Sequence, residues 1–192
     1  MDFASILADT GVSHGLIGPR EVPILWERHI LNCAVIESAF PEGARLIDVG
    51  SGAGLPGIAL AIARADVHVQ LVEPMQRRTD WLQSTVDELG LDNVTVHRGR
   101  AEEFHGELTA PFVTARAVAR LDKLARWCFP LVEDQGRLVA MKGRSADEEL
   151  AATMKALRKL GLSGAEVTRH GQGILNEPTL TVECTVSHRR KG

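Results

Sequence analysis

The sequence predicts an α/β fold: a mainly parallel sheet with helices on both faces, an antiparallel edge strand, and an N-terminal helical extension. Three observations carry this prediction. From Arg45 onward, short apolar runs alternate with helical patterns, the order that builds parallel sheets. The first run, Leu46-Ile47-Asp48-Val49, passes at once into the glycine-dense turn from Gly50 to Gly57, a tight handover from strand to helix. After the last helical pattern, two strand-like runs follow with only a Gly/Asn/Pro turn between them, which favours antiparallel pairing.

In chain order, residues 2–9 read as a short helix and 11–19, with three glycines and a proline, as a loop. Over 20–38, Val22, Ile24, Leu25, Trp26, Ile30, Leu31, Val35 and Ile36 recur at near-helical spacing, predicting one amphipathic helix. Pro41-Glu42-Gly43 ends it. Strands are expected at 45–49, 67–73, 93–97, 112–115 and 136–141, and helices at 55–64, 76–89, 120–129 and 145–160. The last two strands are expected near 163–169 and 179–187, around a turn at 171–178. Residues 1–43 are thus expected to form a helical extension or lid, and 44–192 a Rossmann-like domain.

Composition narrows the class. The chain has 192 residues, 44% of them hydrophobic, enough for a sizeable core. No apolar run reaches a membrane-spanning length and no secretory-type leader opens the chain, so the expectation is a soluble, cytoplasmic protein without membrane partners. Cys33, Cys128 and Cys184 are odd in number, far apart and set among apolar neighbours. That spacing supports neither a zinc site nor a disulfide framework, and buried hydrophobes are expected. No metal is called for. The net charge of −3 says little about nucleic acid, yet Arg116, Arg120, Lys123 and Arg126 fall within eleven residues and His188 to Lys191 form a basic tail.

The glycine turn reads as a nucleotide-type pocket. Nineteen residues past Gly54, the next strand ends in Glu73, placed to reach a ribose diol. Gly52, Gly54 and Gly57 also satisfy the dinucleotide pattern, so an NAD enzyme is one reading. Three features weigh against it. Gly50 adds a further, earlier glycine. Asp48 sits just before it, suited to a polar group at the amino-acid end of a methionine-derived cofactor, whereas pyrophosphate is already anionic. Gly99-Arg100-Ala101-Glu102-Glu103 follows the third strand, where an acid suits the exocyclic amine of adenine. This succession resembles the class I S-adenosylmethionine-dependent methyltransferases. For Gly57 the competing reading is close helix–strand packing. Glu103, beside Glu102, leaves open which of the two acids meets adenine.

The fourth strand bears on the methyl acceptor. Phe112-Val113-Thr114-Ala115-Arg116-Ala117-Val118 lacks the proline-aromatic clamp of enzymes that methylate base amines. Cys128 is poorly placed as a pyrimidine nucleophile. Guanine N7 needs no proton removed before attack, so alignment suffices, and a motif without an obvious base is consistent with it.

Five segments carry a closer resemblance: Trp26 to Asn32, Leu46 to Gly57, Gly99 to Phe104, Thr114 to Ala117, and Met141-Lys142-Gly143. In order and composition they resemble the RsmG (GidB) family of small-subunit rRNA guanine-N7 methyltransferases, in its actinobacterial branch. The resemblance implies S-adenosyl-L-methionine as cofactor, held at Gly50, Leu55, Ala101, Glu102 and Arg116, with Asp48 and Gly52 in the same turn and Glu73 at the ribose. It implies a guanine of 16S rRNA as acceptor, in the small ribosomal subunit or an assembly intermediate; separately, a monomer is expected. Asn32 stands where many relatives carry Asp.

Arg116 is expected to orient cofactor or target, since arginine stays protonated and is no base. Arg28 and His29 read equally as lid groups or as ordinary surface and structural side chains. Lys142 reads as a phosphate contact or a solvated strand end, and Arg120, Lys123 and Arg126 as a phosphate stripe or a solvated helix face. Trp26, Trp81 and Trp127 read first as core, second as stacking surfaces for a flipped base. A small-molecule methyltransferase and a non-catalytic rRNA-binding module are the alternative functions.

Overall fold

The computed structural model describes residues 2–116 and 119–188. Among these, seven strands form one sheet: β1 (Arg45–Val49), β2 (His68–Glu73), β3 (Val94–Arg98), β4 (Ala110–Arg116), β5 (Val132–Lys142), β6 (Leu162–His170) and β7 (Thr179–Val186). Their spatial order is β3-β2-β1-β4-β5-β7-β6. The first five pair in parallel, and β7 runs antiparallel between β5 and β6. Burial explains why the later strand takes the inner place. Val182, Cys184 and Val186 of β7 are fully buried, whereas most of β6 is at least partly exposed, with Glu166 and Arg169 on it. A polar strand serves better at the edge, where charge discourages pairing with another chain.

The helical segments include α1 (Phe3–Ile6), α2 (Asn32–Ala34), α3 (Gly57–Ala63), α4 (Gln76–Leu89), α5 (Leu121–Cys128) and α6 (Ala146–Lys159). The two-residue period of the strands divides the core. Leu46, Val69, Leu71, Phe112, Val139 and Met141 face a cluster shared with α3, α4 and the N-terminal segment. Ile47, Val49, Val72, Val113, Ala115, Leu138 and Ala140 face a second cluster shared with α5 and α6. Each fully buried Leu or Ile contributes roughly 1.5–3 kcal/mol. On α5, Leu121, Leu124, Ala125 and Cys128 make the buried stripe at helical spacing. Helix α6 places Asp147, Glu148 and Glu149 in its first turn and Arg158 and Lys159 in its last, matching the helix dipole.

The N-terminal segment departs from the sequence reading. Helix α1 widens into a π-helical turn at Leu7–Gly11, and helical residues extend to Ser13, into the predicted loop. The predicted single helix over 20–38 is a succession of a 3-10 helix Pro19–Ile24, a π-helix Trp26–Leu31, α2 and a 3-10 helix Val35–Ala39. Pro23 lies inside the first of these and offers no N–H, which blocks a regular α-helical start. The segment is nonetheless firmly seated: Phe3, Ile6, Leu7, Ile30, Cys33 and Ile36 are buried against the sheet and its helices. Polar ties add to this. Ser38 Oγ meets His170 Nδ1 at 3.1 Å, and Arg64 bonds the Glu37 carboxylate at 3.1 Å. Among the described residues, no helix is long and apolar enough to cross a membrane.

Candidate active site

Parallel pairing brings the carboxyl ends of β1 to β5 to one edge of the sheet. The chain order reverses between β1 and β4, and in open α/β sheets ligands bind at such a switch point. The residues leaving these ends are Gly50, Glu73, Gly99, Arg116 and Lys142. The strand period then selects sides: Asp48, Glu73 and Arg116 lie on the face of their strands that carries Leu46, Leu71 and Phe112, toward the N-terminal segment.

The glycine turn is built from the backbone. Gly50 adopts φ +73°, a conformation that L side chains rarely take, and donates its N–H to Val72 O at 2.8 Å. Gly57 starts α3 so close to the sheet that a Cβ there would run into Leu71 and lie 2.7 Å from Asp48 Oδ2. Its predicted packing role therefore fits the geometry. Asp48 is completely buried beneath the turn; its Oδ2 accepts the Gly57 N–H at 3.0 Å. Oδ1 has no partner among the described residues. Burial, the largest cause, pushes the Asp48 carboxyl up to about 7 despite the Gly57 bond. A buried polar atom without a partner has an open place for one.

Glu73 is also buried. Its two oxygens accept the N–H groups of Gly52 and Met75, each at 3.1 Å, and Arg78 approaches to 3.8 Å. The acid thus holds the turn and the start of α4 in register. Each carboxylate oxygen retains acceptor capacity beyond its one bond. Beside it lies a cavity of about 300 Å³ lined by Val49, Gly50, Val72, Ala101, Glu102 and Trp127, among others. Its walls are mostly apolar, with Glu102 and Arg100 the charged residues among them, a slot for a flat ring with a polar edge. Glu102 lines this slot, while the Glu103 carboxylate folds against Gly99. Leu55 is buried in the turn.

Arg116 lies at the second part of the site. Its Nη2 donates to His29 Nδ1 at 2.6 Å and its Nη1 to Cys33 Sγ at 3.0 Å. His29 Nε2 in turn meets Glu21 Oε2 at 2.7 Å. Burial pushes the Cys33 thiol up to about 11, even beside the guanidinium, so it is no nucleophile near neutrality. Arg116, Arg28, His29, Asn32, Lys142 and Thr179 help to line a cavity of about 290 Å³. A groove of about 710 Å³ shares Arg28, Asn32, Lys142 and Thr179 with it and continues past Arg144 and the 175–180 loop.

Several expectations need correction here. Lys142 is not a solvated end: its Nζ donates to Ala119 O at 2.8 Å and Glu149 Oε1 at 2.9 Å. Trp26 is not core but 59% exposed. Trp81 is core, with its indole N–H on Thr10 Oγ1 at 3.0 Å, and Trp127 lines the apolar slot. All three cysteines are buried and free. The Glu21–His29 pair was not legible, because on the predicted single helix two residues eight apart would stand about two turns from each other. Ala117 of the Arg-Ala pair and residues 189–191 of the basic tail lie outside the described residues.

Known proteins share this sequence and this fold. The family profile described as "GidB: rRNA small subunit methyltransferase G" matches residues 1–177. The ribosomal RNA small subunit methyltransferase G of Pseudarthrobacter chlorophenolicus is 55% identical over 98% of this chain and 88% of its own length. The protein of the same description from Streptomyces coelicolor is 51% identical over 99% and 80%. Among solved structures, the S-adenosylmethionine-dependent methyltransferase SibL in its apo form matches with a TM-score of 0.69 over 97% of this chain and 62% of its own, at 16% identity. TYW2 of M. jannaschii, in complex with AdoMet, matches with a TM-score of 0.63 over 83% and 74%, at 17% identity. The fold is that of the class I S-adenosylmethionine-dependent methyltransferases, and by sequence the chain belongs to the GidB family of small-subunit rRNA methyltransferases.

Proposed function

We propose that this chain transfers a methyl group from S-adenosyl-L-methionine to N7 of a guanine in the 16S rRNA of the small ribosomal subunit or its assembly intermediate. It acts as a cytoplasmic monomer, with residues 1–43 as a lid on the domain that follows. The observation that carries the N7 reading is the lack of an available base beside Arg116. Among the described residues lining that cavity, arginine cannot accept a proton, and His29 Nδ1 is taken by Arg116. Lys142 is paired with Glu149. Glu27 and Glu177 line only the adjoining groove and not the cavity that Arg116 lines. An acceptor that needs deprotonation is poorly served there; N7, with its free lone pair, is not.

The residues fit the cofactor. The slot of Val49, Val72, Ala101 and Trp127 would take adenine, with Glu102 accepting from its amine. Glu73 would accept from the ribose hydroxyls, and Gly50, Gly52 and Leu55 would bring the turn backbone against the ligand. The partnerless Oδ1 of Asp48 suits a donor at the amino-acid end. When bound, S-adenosyl-L-methionine would supply a sulfonium-activated methyl whose carbon N7 can attack without acid or base, S-adenosylhomocysteine being the leaving group. Arg116 then has an orienting role, holding an anionic group of cofactor or nucleotide.

The test incubates the protein with methyl-labelled S-adenosylmethionine and small subunits lacking the modification, then digests the RNA to nucleosides. Label in N7-methylguanosine is expected. Label in another nucleoside would refute the N7 reading, and label only in added metabolites would favour a small-molecule enzyme. Subunit binding with no transfer would favour a binding module.

A further inference from the structure

We infer that His29 and Glu21 are positioning residues that aim Arg116 at the incoming nucleotide through one fixed imidazole tautomer; this rests on the acceptor reading above. A guanidinium carries only donors. With Arg116 Nη2 at 2.6 Å, His29 Nδ1 must be the acceptor, so the ring hydrogen sits on Nε2. Nε2 lies 2.7 Å from Glu21 Oε2, and an ionised carboxylate only accepts. Both neighbours therefore specify the same tautomer. The opposite tautomer would set N–H against N–H at one end and two acceptors together at the other. The side chain of His29 is only 12% exposed, which limits replacement of either partner by water.

The relay joins three parts of the chain. Glu21 is on the 3-10 helix Pro19–Ile24, His29 on the π-helix Trp26–Leu31, and Arg116 at the end of β4. Seating the N-terminal segment over the strand tips and aiming the guanidinium are thus one event. Cys33 Sγ takes a hydrogen from Nη1, and His29 O lies at 3.5 Å from the same nitrogen. Among the described residues that leaves Nε–H and the second hydrogen of Nη2 for a ligand in the cavity shared with Arg28, Asn32 and Thr179. Such a fixed fork suits a phosphate or a guanine edge.

The experiment compares wild type with E21Q, H29A and H29N. It reads single-turnover methylation of small subunits, affinity for S-adenosylhomocysteine, and the imidazole 15N shifts of His29. Wild type is expected to show a protonated Nε2 and a bare Nδ1. Because Gln can also donate, E21Q mixes the tautomers. Misaiming a group that aligns a substrate costs up to ~10²-fold, so H29A is expected to lose about that much rate and E21Q roughly tenfold. In H29N the amide oxygen stands near the place of Nδ1, and most of the lost rate returns. Cofactor-product affinity stays within about twofold throughout; a fall that matches the loss of rate would place Arg116 on the cofactor instead of the nucleotide and overturn the assignment. A wild-type hydrogen on Nδ1, or full transfer by H29A, would overturn the assignment. Wild type that labels no RNA would sink the acceptor reading, and the positioning role with it, whatever the tautomer.

Discussion

Asp48→Asn separates what the glycine turn costs the fold from what it provides to binding. Asp48 is wholly buried, bonded once to Gly57, and left with one oxygen unpartnered among the described residues. Its carboxyl titrates at about 7 in the fold against the ordinary 3.8. The native chain therefore holds this proton more tightly than the unfolded chain does. The associated stability is fully present below about pH 4 and is lost as pH rises through about 7. At ~1.4 kcal/mol per pH unit, the ionised form costs the empty protein up to ~4 kcal/mol. Asn is uncharged, and its amide oxygen can still accept from Gly57. Urea unfolding without cofactor, at about pH 5 and about pH 8, should show the advantage of Asn over Asp larger at the higher pH by ~2–3 kcal/mol. Cofactor affinity should move the other way, falling roughly tenfold for loss of one charge-assisted bond. An Asn-minus-Asp difference that is equal at both pH values would refute the buried-carboxyl reasoning.

Other outcomes follow from the same geometry. Gly57→Ala forces a methyl into Leu71 and Asp48 and should destabilise the protein by ~1–3 kcal/mol in thermal or urea unfolding, with loss of cofactor binding. Glu73→Ala leaves the amides of Gly52 and Met75 without their acceptor; calorimetry should show cofactor affinity at least ~10-fold weaker. Trp81→Ala should cost ~3–5 kcal/mol, whereas Trp26→Ala, at an exposed side chain, should stay within ~0.5 kcal/mol. If Arg120, Lys123 and Arg126 meet RNA phosphates, replacing all three by Gln should lower the slope of log affinity against log salt by ~2–3.

What could be read from the sequence was whatever rests on local pattern. The sheet strands from Arg45 onward were legible because apolar runs of strand length alternate with helical stripes, and their ends fall within a few residues of expectation. The antiparallel edge was legible from the short turn between β6 and β7. That β7 slips in beside β5 was not, because it depends on which strand is worth burying. The glycine turn and Glu73 were legible because a tight turn and a strand-end acid are local features at fixed spacing. The N-terminal segment misled: its apolar spacing is helical, yet Pro23 and the wide turn at Trp26–Leu31 break the single helix. Lys142 misled for a different reason. Its partner Glu149 is on the next helix, and nothing local says that the strand-end cation folds back rather than outward. The Glu21–His29–Arg116 relay was illegible because Arg116 lies 87 residues from His29.

The most direct measurement is a position-resolved map of N7-methylguanine in 16S rRNA, by cleavage at the modified base. Subunits lacking the modification would be treated with S-adenosylmethionine and either the wild-type chain or Glu73→Ala. N7 transfer from a cofactor held at Glu73 predicts cleavage at a single guanine with wild type and little or none with the variant. Cleavage that is the same for both, or none by a wild-type protein that binds the cofactor, would contradict it.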